Sequence, residues 1–329
     1  MELIDRRLLL AGGLAACVPL PAPARGLASY PAPTREVMAP VEGGRVYARV
    51  NGDLTGARPP LLLIHGGPGG THDGLLEALA LADERAVILY DQLDSGRSDQ
   101  PNDPANWRVA RFVDEVEAVR RALGVKCWHV LGHSWGGTVA LEYGAQRPAA
   151  LAGLVLASPL IATKSWIDDA NLLVDALPAA IRDEIHRCDA LAAPQPPGCE
   201  TAKRAFYAAY NRREPASPIK STYSAAIGGH GFNAKLYETM WGSSEFVSTG
   251  TLSNYDGEPL LARLDGKRTL FICGQYDEAR PTTIGGYAAR VPGAEFAVIP
   301  GAAHGILSDR PEETVATLRN WLARQDAAA

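Results

Sequence analysis

Short runs of apolar, β-favouring residues recur along the chain and alternate with stretches of helical spacing. "RVYARV" (45–50), "LLLIH" (61–65), "AVILY" (86–90), "WHVLG" (128–132), "GLVLAS" (153–158), "TLFICG" (269–274) and "EFAVIP" (295–300) read as strands. Several are continuous rather than alternating, the pattern of strands buried on both faces of a sheet. Val109, Phe112, Val113, Val116, Val119 and Leu123 recur at helical spacing in an otherwise charged segment, which predicts an amphipathic helix. A second helix is predicted to begin at Trp135 and end near Arg147 and Pro148. The run "PEETVATLRNWLARQ" opens with proline and acids in its first turn, a sound helix start.

Strands alternating with helices predict a mainly parallel, doubly wound α/β sheet. The rhythm stops between residues 160 and 250, where helical stretches with breakers lead into a Gly-, Ser- and aromatic-rich run, "IGGHGFNAKLYETMWGSSEF". That interval is expected to be a helical cap inserted between two strands of one sheet. The core would then comprise residues 36–159 and 251–325.

Residues 1–24 stand apart from this rhythm. Arg6 and Arg7 precede an apolar stretch from Leu8, and Ala22-Pro23-Ala24 offers a small-residue cleavage site. That order reads as an export signal, its paired arginines resemble a twin-arginine signal, and it predicts a periplasmic protein. "LAAC", ending at Cys17, resembles a lipoprotein processing site and gives the competing expectation of a lipid anchor. No later apolar run is long enough to predict a membrane span. Cys188 and Cys199 flank a loop-like segment, and an exported protein can bridge them or leave them free. Cys127 and Cys273 lie at or in apolar strands and read as buried core thiols.

Composition adds mainly exclusions. The chain has 329 residues, 47% hydrophobic and 21% charged, with a formal net charge of −5, an ordinary globular balance. It carries no basic patch, so nucleic acid is not an expected partner. With no metal-ligand spacing either, no metal or cofactor is expected, and the expected partner is a small-molecule substrate.

The chemistry is carried by residues that follow strands. Gly132-His133-Ser134-Trp135-Gly136 fits G-x-S-x-G between a predicted strand and a predicted helix, the context of a nucleophile elbow. A sharp turn there lifts the Ser134 hydroxyl above the sheet edge, and the helix N-terminus with the Trp135 N–H can stabilise an oxyanion. A serine hydroxyl needs a base, and the base needs an orienting acid. His304 follows the last predicted strand and Asp277 the one before it, giving the chain order Ser, Asp, His of the α/β-hydrolase fold. The run "HGGPGG" (65–70) follows a strand directly, and Gly67 N–H is the expected second oxyanion donor. The indole of Trp135, with Trp241, Tyr207 and Tyr237, is a candidate lining for an apolar pocket.

With "HGGPGG", "YDQLDSGRSDQP", "GHSWGG", "YETMWGSSEF", "GQYDEARP" and "GAAHG" in place, the chain resembles the proline iminopeptidases and related amino-acid amide hydrolases. The likeness runs from about residue 40 to residue 324, cap included. It implies that Glu245 ("SSEF") and Glu278 ("YDEA") bind the free α-ammonium group of a substrate. Asp94 departs from the pattern, standing where many members have glycine, although aspartate tolerates the left-handed conformation. The resemblance implies release of a small N-terminal residue, proline favoured, through an acyl-enzyme. A carboxylesterase or lactonase with the same triad and no amine recognition is the second reading. A non-catalytic binding protein on the same scaffold is the third.

Overall fold

Eight strands form one sheet in the order β1-β2-β4-β3-β5-β6-β7-β8. They are β1 (Arg35–Val41), β2 (Gly44–Asn51), β3 (Leu61–Ile64), β4 (Val87–Tyr90), β5 (Trp128–His133), β6 (Leu151–Ala157), β7 (Thr269–Gly274) and β8 (Glu295–Ile299). The computed structural model describes residues 29–189 and 196–328. The segment read as an export signal, with Cys17, lies outside the described residues. β3 to β8 run parallel, whereas β1 and β2 join antiparallel at one edge. Every residue of β3, β4 and β7 is buried, which is why these strands read as unbroken apolar runs.

Helices cover both faces. On one, α1 (Val109–Leu123) buries Phe112, Val113, Val116, Val119 and Leu123, as the spacing predicts, and stops at Gly124 with φ 72°. Arg111 and Glu115 are buried on the same helix and pair with each other, while the Leu93 N–H donates to Glu115 at 3.0 Å. The second predicted helix, α2 (Trp135–Ala145), ends slightly before the expected proline. On the other face, Val315, Leu318, Trp321 and Leu322 of the C-terminal helix Pro311–Ala328 pack with Leu61, Leu63, Leu270 and Ile272.

Between β6 and β7 the chain leaves the sheet for five α-helices among the described residues: α3 (Thr163–Asp175), α4 (Ala179–Asp189), α5 (Pro197–Tyr210), α6 (Pro218–Ala226) and α7 (Ala234–Met240). They form a cap with a small core of its own, including Val174, Ile185, Phe206 and Phe246. A disulfide joins Cys188 of α4 to Cys199 of α5. Cys273 is a buried thiol as expected, but Cys127 is exposed. It precedes the first residue of β5 and so belongs to the turn from α1, outside the sheet. None of the helices among the described residues is long and apolar enough to cross a membrane.

Candidate active site

Ser134 sits where β5 becomes α2, with φ 58° and ψ −122°. A residue with a side chain adopts that conformation only when its surroundings impose it. Here Ser134 N donates to Ala157 O at 3.0 Å, and Ser134 O accepts from Gly137 N at 2.8 Å and Leu160 N at 3.1 Å. The flanking glycines follow from close packing: a Cβ on Gly132 would lie 2.0 Å from Gly136 O, and one on Gly136 would lie 2.2 Å from Ile64 O. The turn therefore wedges α2 against β3. As the first residue of α2, Trp135 has a backbone N–H that the helix itself does not use.

His304 and Asp277 arrive from the loops after β8 and β7. The His304 Nδ1–H donates to Asp277 Oδ1 at 2.9 Å. Asp277 also accepts from Ser158 Oγ at 2.5 Å, Gly274 N at 2.9 Å and Ala279 N at 2.9 Å, so both its oxygens are engaged. Burial alone would push the His304 imidazole down. Asp277, Glu278 and Glu245 around it outweigh burial and raise its pKa to about 9. His133 goes the other way: burial, reinforced by His304, lowers it to about 4. Its Nε2–H donates to the His304 carbonyl at 2.8 Å, bracing the loop with a neutral ring.

Ser134 and His304 line one cavity of about 550 Å³. No hydrogen bond joins Ser134 Oγ to His304 Nε2 among the described residues, and Nε2 lies 3.8 Å from Glu278 Oε1. Apo sites commonly hold this contact loosely and tighten it around substrate.

Glu245 and Glu278 line the same cavity. Glu245 accepts from the Tyr237 hydroxyl and from Trp166 Nε1, the latter at 3.1 Å. Glu278 Oε1 accepts from Asn211 Nδ2 at 2.6 Å, while the buried Glu278 Oε2 has no hydrogen-bond partner among the described residues. Burial raises both carboxyls above the usual carboxylate range, and for Glu278 the nearby Glu245 adds to the rise. The arrangement sets two acidic side chains in the same cavity as Ser134, a place where a cation would meet negative charge.

The glycine loop closes the other side of the serine. Gly67 has φ 118° and lines the cavity, and a Cβ on Gly66 would lie 3.0 Å from Ser134 Cβ. Gln92 ties this loop to the elbow. Its Nε2 donates to His65 O at 3.0 Å, and its Oε1 accepts from Trp135 Nε1 at 2.8 Å. That bond corrects one expectation. The Trp135 indole is fully buried against Phe112 and does not line the cavity, whereas Tyr207, Tyr237 and Trp241 do. Asp94 has φ 65° and spends its carboxylate on Trp107 Nε1 at 2.8 Å and Asn102 N at 2.6 Å.

A sequence profile described as the alpha/beta hydrolase fold matches residues 59–311. The proline iminopeptidase of Heyndrickxia coagulans is 35% identical over 282 residues, 86% of this chain and 96% of that protein. The chain belongs to the proline iminopeptidase family of α/β hydrolases. A proline iminopeptidase of Levilactobacillus brevis is 33% identical over 89% of this chain and 97% of its own length. The crystal structure of the Mycobacterium smegmatis proline iminopeptidase superposes with a TM-score of 0.80 at 31% identity, covering 89% of this chain and 99% of that one. The enzyme class read from the sequence, a serine aminopeptidase or amidase, agrees with these relatives.

Sequence reasoning missed Ser158, Trp166, Asn211 and Gln92, which hold Asp277, Glu245, Glu278 and the glycine loop respectively. Ser158 carried a signal, because it ends a strand at the sheet's carboxyl edge, where α/β folds place their sites. Among the described residues, Glu184, Cys188 and Cys199 bring potential metal-ligand atoms within 4.8 Å of one another, but both sulfurs are spent in the disulfide.

Proposed function

We propose that the protein releases a small N-terminal residue, proline favoured, from short peptides or amino-acid amides. The observation that carries the proposal is the paired Glu245 and Glu278 in the cavity of Ser134, with Glu278 Oε2 unpartnered among the described residues. A substrate ammonium held between the two glutamates would set the scissile carbonyl one residue away, over the serine. Ser134 Oγ attacks the carbonyl carbon while His304 Nε2 takes the hydroxyl proton, with Asp277 orienting the imidazolium. The N–H groups of Gly67 and Trp135 receive the oxyanion. His304 then gives its proton to the leaving amine, and the C–N bond breaks. Water, deprotonated by His304, hydrolyses the resulting ester and releases the amino acid.

The family relatives support proline as the favoured residue, and the aromatic walls of Tyr207, Tyr237 and Trp241 suit a pyrrolidine ring. The proposal includes export to the periplasm. The sequence of residues 1–24 and the Cys188–Cys199 bridge support an oxidising compartment. Cell fractionation that leaves all the mature protein in the cytoplasm would refute that part.

The test is turnover of proline p-nitroanilide and prolinamide against their N-acetyl counterparts. Hydrolysis of the free-amine forms, blocked by acetylation, is expected. Indifference to acetylation, with fast cleavage of p-nitrophenyl esters, would assign the site to an esterase instead.

A further inference from the structure

Beside the main cavity lies a second of about 270 Å³. Gly66, His133, Asn211, Arg212, Phe232 and His304 face both. Glu245, Glu278, Tyr207 and Trp241 line only the first, whereas Thr71, Asp73, Leu307 and Ser308 line only the second. For a substrate with its amine at the two glutamates and its carbonyl at Ser134, the second cavity adjoins the first through these shared residues, His304 among them, and offers room for the leaving portion.

Arg212 stands on that wall. Its backbone N–H donates to Tyr207 O at 2.9 Å, and its Nε lies 3.9 Å from where a Cβ on Gly305 would be. Its neighbours are committed elsewhere. The Arg213 guanidinium covers the Tyr276 ring at 4.1 Å, and Arg310 pairs with Glu214 at 3.0 Å. The Arg212 side chain has no hydrogen-bond or ion-pair partner among the described residues. The other charged groups nearby are engaged. Asp73 accepts from the hydroxyls of Thr71 and Ser224. Buried Lys220 donates to Ser308 Oγ at 3.3 Å and lies 3.9 Å from Glu77. One exposed guanidinium with a free planar fork thus lines both cavities, and that fork matches a carboxylate.

We infer that the second cavity is a subsite for the released portion and that Arg212 binds its free α-carboxylate, making zwitterionic dipeptides the preferred substrates. The inference rests on the aminopeptidase reading. It adds that the site is polarised, with two carboxylates at the entry of the amine and a guanidinium where the chain leaves. A dipeptide carries the complementary charges at its two ends, whereas a longer peptide or an amide lacks the second one within reach.

The experiment compares kcat/KM for Pro-Gly and Pro-Gly-amide, with proline p-nitroanilide as a third substrate. The wild type should favour the free acid about threefold to fivefold. In Arg212→Gln the acid-to-amide ratio should fall to about one, and Arg212→Lys should keep part of it, since charge survives without the fork. Because the readout is a ratio within each protein, loss of folded material does not imitate it. An unchanged ratio in Arg212→Gln overturns the inference, as does a wild type that prefers the amide because Asp73 dominates. Failure of the wild type to turn over even the p-nitroanilide refutes the aminopeptidase reading and this inference with it.

Discussion

The loops at the carboxyl edge of the sheet and the helical cap build one cavity, but they are held in different ways. Ser134 and Asp277 are fixed by the sheet, one through an enforced turn and the other through four donors to its two oxygens. Glu245 and Asn211 are held by the cap, which has a small core and a disulfide. Asp277 and Glu278 show the difference within two consecutive residues. The first accepts from protein donors at both oxygens, and the second has one buried oxygen without a hydrogen-bond partner among the described residues. On the proposed reading, bond-breaking chemistry uses the part held by the sheet, and recognition uses the part whose polar groups the protein leaves for a substrate to complete.

Ser134→Ala should break the comparison at its rigid end, lowering kcat by at least about 10⁴ while the far-UV spectrum stays unchanged. At the recognition end, Glu278→Gln or Glu245→Gln should cost about 100-fold in kcat/KM for free-amine substrates, mostly through KM. The glutamine variants should discriminate less against N-acetyl substrates, and a uniform loss on both substrate types would contradict the assigned role. Next in size, Cys188→Ser should destabilise the cap by about 3 kcal/mol, read as a lower urea midpoint. Activity should then be lost at lower urea than the sheet's own unfolding signal, separating the two regions.

The smallest effect is on pH dependence. A base must be neutral to take the serine proton, and Asp277, Glu278 and Glu245 raise the free-enzyme His304 to about 9. The acid limb of kcat/KM therefore lies well above the ordinary histidine range. A bound ammonium opposes the pull of Glu245 and Glu278, so the limb of kcat should fall at lower pH. Glu245→Gln should move the kcat/KM limb downward by up to about one unit on the same substrate. Coincident limbs in both proteins would dissociate Glu245 from His304.

Much of the rigid part was legible in the sequence. β3, β4 and β7 are buried on both faces, and their unbroken apolar runs say so. The positions of Ser134, Asp277 and His304 each follow a strand, and the glycines around Ser134 are demanded by contacts at 2.0 and 2.2 Å. β1 escaped notice because it is an edge strand, mostly exposed and containing Pro40, and so lacks a periodic signal. The cap was legible only as an interruption. Glu245 was reached through family likeness, and its partner Trp166 lies 79 positions away, as Asn211 lies 67 from Glu278. Such pairings arise from the packing of helices against one another, which no local spacing encodes. The Trp135 indole was misplaced for a related reason: Gln92, 43 positions earlier, turns it into the core.

The seam between the two regions limits how freely caps can be exchanged among relatives. The carbonyl of Tyr210, the last residue of α5, accepts from the backbone N–H groups of both Glu278 and His304, at 3.1 Å each. The next carbonyl, Asn211 O, accepts from Gly305 N at 2.7 Å. These are main-chain bonds, indifferent to side-chain identity but strict about path. A transplanted cap would have to reproduce the course of two consecutive peptide units, or the histidine's loop would lose its ceiling. Side chains of the cap can therefore change without touching these bonds, whereas a change in the course of this main chain cannot.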